Sequence, residues 1–423
     1  MSDVSSSHHR LFYGWVVVAA ACGITFFGFG SSYTFSAFLT SLQHDFGASR
    51  GSVSLVFSLS AFLYYNFGVV SGALASRWGA RRLAVMGMLF LGIGLILASR
   101  AQSLWEVYVG YGIGVGLGIG CSYVPAIGTV QRWFVRNRGL ASGFAVSGTG
   151  LGTLVMPLLA SWLIKTVGWR DAYLLLGCLA ATLGTGLSLL LVDDPRQRGL
   201  APDGDPIQTN ASIPATTETS VRQAIQSIPF IGLYIACLIS SLGIFVPFVH
   251  LVPYALDHHV NPSLAVLLIG VIGAGSTSGR FFLGGFADRM GRESFLIVML
   301  VGIAVSLALW ALVSSFWMLA IFAFLFGSFY GGWFAIIPAV VMDYVGAQNV
   351  RAIIGILYTS LGIGALLGPS MAGFAFDISH SYLLPILAGV GANIIAAGIV
   401  MLSTQIVSRK IFSKNLSATS LDQ

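Results

Sequence analysis

The chain has 423 residues, of which 56% are hydrophobic and only 9% are charged, and its mean hydropathy is +0.86. This composition lies far outside the range of soluble globular proteins, so it excludes a soluble enzyme or a soluble binding domain as the main body of the chain. The formal net charge is +6, but the basic residues lie in short loops instead of on one face, which argues against a nucleic-acid partner.

Apolar runs follow one another along the chain, and short polar or turn-rich breaks separate them. A membrane-spanning helix needs about 20 apolar residues. The runs predict twelve spans, which cover residues 13–38, 53–75, 83–99, 105–130, 139–163, 172–192, 228–255, 263–286, 295–314, 317–342, 352–375 and 382–406. The first run has no obvious small-residue cleavage site, so it is expected to be a span and not a removed signal peptide.

The longest polar break divides the spans into two sets of six. Residues 193–226 contain many Asp, Pro, Thr and Ser residues without periodicity, which predicts a flexible cytoplasmic linker. The expected units are an N-terminal six-helix bundle over residues 1–192, a C-terminal six-helix bundle over residues 227–410 and a cytoplasmic tail over residues 411–423. The predicted fold class is an all-α membrane protein.

The distribution of basic residues predicts the orientation, because Lys and Arg are retained on the cytoplasmic side. With both termini inside, the cytoplasmic residues are Arg10, Arg77, Arg81, Arg82, Arg132, Arg136, Arg138, Arg196, Arg198, Arg222, Arg289, Arg292, Arg351, Arg409, Lys410 and Lys414. The opposite side has only Arg50, Arg100, Lys165 and Arg170. We therefore expect cytoplasmic termini in a plasma membrane, which is the inner membrane in a bacterium.

Two features that could indicate a cofactor have a simpler explanation. The four cysteines lie inside apolar runs without metal-ligand spacing, so free buried thiols are expected, with neither a metal nor a cofactor. The alternating glycines of residues 112–120 lie within a span and follow no strand, so they predict close helix packing instead of nucleotide binding.

The two halves of the chain contain an internal repeat. The segment from Gly72 to Arg82 recurs between Gly284 and Arg292, and Arg77 and Arg289 are 212 positions apart. The same offset relates Gly150, Gly152 and Pro157 to Gly362, Gly364 and Pro369. Parallel repeats are typical of transporters that alternate access by rocking one bundle against the other.

The repeated loop resembles the cytoplasmic loop signature of the major facilitator superfamily, except that Ser76 stands where the first copy should have Asp. Asp288 can pair with arginines on neighbouring helix ends, and Gly285 allows two helices to approach closely. A plain positive-inside loop is the structural alternative. The predicted cytoplasmic gate motif comprises Gly285, Asp288, Arg289, Gly291, Arg292, Arg77 and Arg81.

A narrower resemblance points to one family within this superfamily. The segment from Trp133 to Gly148 is similar to the fifth-span signature of the monocarboxylate transporter family, and Tyr13-Gly-Trp-Val-Val looks like a reduced form of its first-span signature. The superfamily resemblance extends from Tyr13 to about Ile406. It implies a carboxylate transporter with two pseudo-symmetric six-helix bundles.

Arg280 is the one Lys or Arg deep inside an apolar run. Such a placement costs at least about 2.5–3.5 kcal/mol, so the side chain should face a water-filled cavity or a counter-charge. A guanidinium binds a carboxylate bidentately, and the family resemblance implies that the eighth-span arginine holds the substrate anion. A structural arginine that binds backbone carbonyls or a loop acid is the alternative.

The number of buried cations limits the substrate. The resemblance to oxalate-type carriers implies that a dicarboxylate would require a second cation in the eleventh span, but residues 352–376 contain neither Lys nor Arg. One buried charge therefore favours one carboxylate.

The resemblance gives less support to proton coupling. In animal relatives an Asp precedes the arginine by one helical turn and a Lys lies late in the first span, whereas Ser276 and Ala37 occupy those places here. His250 and Asp257, which are seven residues apart near the outer end of the seventh span, are the remaining candidates for neutralising the empty site. Alternatively, His250 binds backbone groups freed by Pro247 or Pro253.

Aromatic side chains are expected to shape the rest of the site. Tyr330 and Phe334 share one face of the tenth span, and Tyr123 lies in the fourth. Their hydroxyls can donate to a carboxylate while the rings contact an apolar tail, although ordinary helix packing is the alternative. The predicted substrate-binding residues are Arg280, Tyr123, Tyr330, Phe334 and Ser276, with Asn393, Tyr358 and Thr25 as weaker candidates.

These observations predict a secondary transporter that carries a small monocarboxylate such as lactate or pyruvate together with a proton, and that functions as a monomer in the lipid bilayer. A carboxylate exchanger of the oxalate or formate type is the first alternative, and a membrane solute sensor that lost transport is the second. An enzyme is not expected, because the spans contain no set of acid, base and nucleophile. ATP-driven pumping lacks the required Gly-rich loop.

Overall fold

The computed structural model describes residues 12–204, 221–345 and 350–419, and within these residues all regular secondary structure is helical. Eleven helical segments are long and apolar enough to cross a membrane. One of them, Gly139–Leu189, has 51 residues and would measure about 76 Å as one straight helix, more than twice the thickness of a bilayer core. Gly168 breaks it with φ 83° and ψ 164°, so it contains two spans. The predicted all-α fold with twelve spans is confirmed.

We number the spans in chain order. They are α1 Tyr13–Phe46, α2 Arg50–Trp78, α3 Ala80–Ser99, α4 Leu104–Trp133, α5 139–167, α6 169–189, α7 Ile228–Asp257, α8 Pro262–Leu283, α9 Arg292–Leu312, α10 Phe316–Val345, α11 Val350–Ser379 and α12 Leu383–Thr419. The last helix continues beyond the predicted end at residue 406 and includes most of the predicted tail. No Gly or Pro interrupts residues 403–419, so nothing in this stretch breaks the helix.

Backbone geometry repeats between the two halves. Left-handed backbone conformations occur at Gly47 and His259, at Gly79 and Gly291, and at Gly168 and His380. Each pair is 212 positions apart, which is the offset of the sequence repeat. The helix ends of one half are therefore reproduced in the other, as the repeat predicts.

The predicted linker is not flexible along its whole length. Asp193 caps α3 by accepting hydrogen bonds from the backbone N–H groups of Ala80 and Arg81, at 2.9 and 3.2 Å. Asp203 accepts from the backbone N–H groups of Val135 and Arg136, at 3.0 and 2.9 Å. Residues 193–204 therefore pack on the N-terminal half, because two carboxylates satisfy free backbone donors of that half. Residues 205–220 lie outside the described part of the chain.

The two halves meet along two long contacts, in which α2 packs along α11 and α5 packs along α8. We call the end of the bundle that contains Tyr13 and Asp193 the linker face, and the end where α2 and α8 begin the far face. The sequence predicts that the linker face is cytoplasmic.

Alternating glycines bring neighbouring helices into backbone contact. In α4, a Cβ atom at Gly114 would lie 2.5 Å from the Cα atom of Gly94 in α3. A Cβ atom at Gly116, on the other side of α4, would lie 2.8 Å from the Ser60 carbonyl oxygen of α2. The glycine run of α4 thus serves packing on two neighbours, which is the use of small residues expected in membranes.

Gly114→Ala is expected to lower the free energy of unfolding by about 1–3 kcal/mol, because the methyl group has to displace the backbone of α3. Gly128→Ala in the same helix is the matched control, since a Cβ atom there has no neighbour within 4 Å. Thermal unfolding of both variants in one detergent measures the difference. Equal melting temperatures for the two variants would show that this backbone contact does not limit stability.

Candidate functional site

Arg280 lies in a π-helical turn, Gly279–Leu283, that forms the end of α8. Such turns often occur at functional sites, but π-helical segments are also present at Tyr108–Val115 in α4 and Ala180–Gly184 in α6, so the turn alone does not identify a site. The turn adjoins a close contact with α10, where a Cβ atom at Gly279 would lie 2.0 Å from the Ser328 carbonyl oxygen. The backbone of α8 is therefore held firmly against α10 next to the arginine.

The guanidinium of Arg280 has an incomplete set of partners. Its Cζ atom lies 5.6 Å from the ring centroid of Phe334, within the range of a cation–π interaction. Its Nε atom is buried and makes no hydrogen bond to any described residue. A buried donor of a charged group costs free energy when it stays unpaired, so a ligand atom at this position would be stabilising.

Six tyrosines and Phe334 form one group of aromatic residues, which we call the aromatic cluster; Phe334 and four of the tyrosines interact with Arg280, and Tyr64 and Tyr65 contact other members of the cluster. It contains Tyr33 of α1, Tyr64 and Tyr65 of α2, Tyr123 of α4, Tyr330 and Phe334 of α10 and Tyr358 of α11. Both halves contribute, so the cluster lies where the two bundles meet.

Ring contacts hold the aromatic cluster together. Phe334 lies 6.1 Å from Tyr330 and 5.5 Å from Tyr358, and Tyr358 lies 6.1 Å from Tyr65, measured between ring centroids. The rings of Tyr64 and Tyr65 are 4.5 Å apart. The resulting surface is mostly apolar and bears several hydroxyl groups.

The hydroxyl groups of the aromatic cluster converge. The hydroxyl oxygens of Tyr33 and Tyr330 lie 3.4 Å apart across the two halves. Those of Tyr64 and Tyr65 are buried and interact with the hydroxyls of Tyr33 and Tyr330, but they make no hydrogen bond of normal geometry to a described residue. The side chains of Tyr64 and Tyr65 are only 4% and 5% exposed, so bulk water does not solvate them in this arrangement.

The structure brings four of the five predicted substrate-binding side chains together. Tyr123 and Tyr330 both interact electrostatically with Arg280, and Phe334 contacts it directly. Ser276 is buried one helical turn before Arg280, where its carbonyl oxygen packs against Gly331.

Tyr33, Tyr64 and Tyr65 are not among the site residues that the sequence predicts. Two adjacent tyrosines near the middle of an otherwise apolar span were a usable signal, because each phenol inside a membrane needs a polar partner. The position of Tyr65 against Tyr358 depends on the contact between α2 and α11, which no local pattern indicates.

The predicted proton-coupling residues lie near the far face. Asp257 forms a bidentate ion pair with Arg50, at 2.6 and 2.7 Å. His250 is fully buried, with Nδ1 3.0 Å from the Tyr382 hydroxyl and Nε2 2.8 Å from the Pro369 carbonyl oxygen. The described polar contacts of these two residues thus go to Arg50 and Ser54 of α2, to Tyr382 and to α11, and not to Arg280. His250 contacts the backbone of α11 instead of carbonyls freed by prolines of its own helix.

The repeated loops bind helix ends on the linker face. The Arg81 side chain donates to the Leu191 carbonyl oxygen at 2.5 Å, and Arg292 donates to the Asp343 carboxylate at 2.5 Å. Both contacts stay within one half. Arg77, Arg289 and Gly291 are exposed, and the surroundings of Gly285 and of the Asp288 side chain lie outside the described part.

Two of the weaker candidates have structural partners away from Arg280. The Thr25 hydroxyl donates to the carbonyl oxygens of Cys22 and Ala145, at 2.9 and 2.8 Å. Asn393 accepts a hydrogen bond from Ser240 at 2.5 Å. These contacts join α1 to α5 and α7 to α12.

Comparisons with known proteins agree with this architecture. The family model of the Major Facilitator Superfamily matches residues 20–369 and 233–415. A crystal structure of a bacterial homolog to the human lysosomal transporter Spinster, in an inward-facing and unoccupied conformation, superposes with a TM-score of 0.68 at 16% sequence identity. The match covers 94% of this chain and 98% of that one. At this identity the similarity shows the fold alone.

Similar proteins identify the family within this superfamily to which the chain belongs. Monocarboxylate transporter 11 of Homo sapiens is 30% identical over 376 residues, which cover 86% of this chain and 77% of that protein. Monocarboxylate transporter 12 of Xenopus laevis is 26% identical over 423 residues, which cover 96% and 91%. The chain therefore belongs to the monocarboxylate transporter family of the major facilitator superfamily, and it is a multi-pass membrane transporter and not an enzyme.

Proposed function

We propose that this transporter carries small monocarboxylates of the lactate and pyruvate type by alternating access, with a proton as the coupled ion. The observation that carries the proposal is the buried Nε of Arg280, which has no hydrogen-bond partner among the described residues. The names of the curated relatives support the substrate class.

The proposed binding mode follows from the shape of the guanidinium. One carboxylate oxygen accepts a hydrogen bond from Nε of Arg280, and the other accepts one from an Nη atom. This arrangement gives the unpaired Nε–H group a partner and neutralises the charge of the guanidinium. Phe334 covers one side of the guanidinium, so the tail of the anion lies against the rings of Tyr330 and Tyr358. Because aromatic rings lie next to Arg280, this binding mode favours an anion whose apolar tail is short.

The number of cations in the proposed site supports a substrate with one carboxylate. All other described Lys and Arg side chains belong to helix ends or loops, so the described part of the site has a single cation. A second carboxylate in the same site would stay unpaired in a medium of low dielectric constant, which is strongly unfavourable.

The hydroxyls of Tyr64 and Tyr65, which make no hydrogen bond of normal geometry to a described residue, support a substrate with a second, neutral polar group. A 2-hydroxy or 2-oxo acid has such a group next to its carboxylate, and a tyrosine hydroxyl can donate to it. Simple fatty acids of the same length lack that group. This chemistry favours lactate and pyruvate over propionate.

Exchange is the second candidate mechanism, and one observation favours it. Ser276 and Ala37 occupy the places where the family resemblance implies an acid and a lysine, and Asp257 is engaged by Arg50. An exchanger needs no proton carrier, but it takes up substrate only when counter-substrate is present inside. For the symport proposal, Asp257 and His250 remain the candidate proton carriers. We further propose a functional monomer in the plasma membrane with both termini cytoplasmic.

Arg280→Ala is expected to reduce the uptake of labelled L-lactate into liposomes by about tenfold to a hundredfold, because a charged hydrogen bond contributes about 1.5–3 kcal/mol. Arg280→Lys keeps the charge but not the bidentate fork, so an intermediate loss is expected. Arg100→Ala, which removes an exposed arginine, is the control and should transport normally.

An inward proton gradient added to the same assay tests the coupling. Stimulation by the gradient without internal substrate supports symport, and a strict need for internal carboxylate supports exchange. Normal uptake by Arg280→Ala would contradict the assignment of the carboxylate site.

Tyr65→Phe is expected to reduce the preference for lactate over propionate, with little effect on propionate itself. The variant removes one hydroxyl from a buried position, and one lost neutral hydrogen bond is worth about 0.5–1.5 kcal/mol, or up to about tenfold in the uptake ratio. The measurement is the competition of unlabelled propionate with labelled lactate. Tyr108→Phe, at a tyrosine that donates to the Ser52 carbonyl oxygen outside the aromatic cluster, is the control. An unchanged ratio in Tyr65→Phe would remove Tyr65 from the site.

A further inference from the structure

The repeat places an aspartate at the same position in each half, but the two carboxylates have different partners. Asp45 ends α1 and Asp257 ends α7, 212 positions later. Asp45 is bound within its own half, where its carboxylate accepts from Arg170 at 2.6 Å and from the Trp169 indole at 2.8 Å. The position equivalent to Arg170 is Tyr382, so the C-terminal half does not supply a cation there.

The missing cation comes from the other half. Arg50, the first residue of α2, places Nη1 2.6 Å from Oδ2 and Nη2 2.7 Å from Oδ1 of Asp257. Nη1 also donates to the Tyr382 hydroxyl at 3.0 Å, and the guanidinium lies 4.0 Å from the Phe376 ring centroid. Every one of these partners belongs to the C-terminal half.

A second carboxylate binds the backbone of the same residue. Asp377, near the end of α11, accepts from the backbone N–H groups of Arg50 and Gly51, at 2.9 and 2.8 Å. The first N–H groups of a helix lack partners within the helix and carry its positive dipole end, so a carboxylate is stabilising there. The start of α2 is therefore capped by the opposite half of the protein.

We propose that Arg50, Asp257, Asp377 and Tyr382 form an inter-half latch that keeps the far face closed and that has to release before the site opens to that face. The latch replaces a contact that the N-terminal half makes internally, and it ties the two bundles together at the far face. The Arg50 side chain is 16% exposed and the Asp257 side chain is 35% exposed. The pair is therefore partly desolvated and geometrically well defined, unlike a typical surface ion pair.

The latch lies between the far face and the proposed substrate site. α8 begins at the far face with Pro262, and Arg280 follows about 27 Å further along the helix. Beneath the latch, His250 contacts Tyr382 and the hydroxyl of Ser54, at 3.0 and 3.4 Å. Ser54 belongs to α2 and is fully buried against the C-terminal half, so its accessibility reports whether this end is open.

The test is the rate at which a water-soluble maleimide labels a reporter cysteine. The full chain carries Ser54→Cys, its four native cysteines are replaced by alanine, and it is reconstituted in nanodiscs so that both faces are accessible. Arg50→Gln is expected to speed labelling about tenfold, since it removes a charged hydrogen-bonded pair that stabilises the closed far face.

Arg170→Gln is the matched control, because it removes the equivalent cation from a carboxylate of the same half. It should change the labelling rate by less than about twofold, well below the tenfold that 1.4 kcal/mol represents. Equal rates in Arg50→Gln and Arg170→Gln would overturn the latch.

A charge exchange keeps the proposal testable if Arg50→Gln does not fold. Asp257→Asn should label as fast as Arg50→Gln, and Arg50→Asp combined with Asp257→Arg in one chain should return toward the slow rate of the parent. Slow labelling in Asp257→Asn, or fast labelling in the double variant, contradicts the latch. The assay contains no substrate, so its outcome is independent of whether Arg280 binds a monocarboxylate.

Discussion

Within a bilayer, every polar group has to find its partner inside the protein, and this constraint organises the whole structure. It confines the backbone to helices and makes serine and threonine hydroxyls bond to carbonyl oxygens of their own helix, as Ser122 and Thr153 do. Against this background, a buried donor without a partner is informative. The Nε of Arg280 is such a donor, and it lies where the two bundles meet. Several buried neutral groups, such as the hydroxyls of Ser58 and Tyr173, also make no hydrogen bond to a described residue, so the positive charge is what distinguishes Arg280.

The two halves have the same architecture, and the residues of the proposed site and latch lie at positions where the halves differ. The left-handed residues at the helix ends recur with an offset of 212, so the two halves have the same architecture. Arg280, however, has Gly68 as its counterpart, which leaves the cation on one side of the interface only. The latch at Arg50 is a second departure, because Tyr382 replaces the arginine that binds Asp45 in the first half. Both asymmetries act between the halves, where alternating access requires contacts to form and break.

Much of the fold was predictable from the sequence, because membrane helices leave long apolar runs and the repeat leaves a fixed offset. The glycine run and the isolated charge of Arg280 were also visible, since each is a property of one helix. Contacts between helices that are distant in the chain could not be predicted from the sequence. The pairing of Arg50 with Asp257 required the packing of α2 along α11, which brings Arg50 next to the end of α7, and the proposed role of Tyr65 required the same packing. The attachment of residues 193–204 was missed because two carboxylates, those of Asp193 and Asp203, anchor a stretch that has no long helical or apolar pattern.

Ligand-induced stabilisation tests the central claim, that one guanidinium binds one carboxylate, without requiring transport. A ligand present at about 100 times its Kd stabilises the folded protein by about 2.7 kcal/mol, which raises the melting temperature. The comparison is between L-lactate and L-lactamide, which has the same shape but no negative charge. If Arg280 holds the substrate, lactate raises the melting temperature of the detergent-solubilised protein and lactamide does not. Equal shifts with the two compounds, or no shift with any monocarboxylate, would contradict the account.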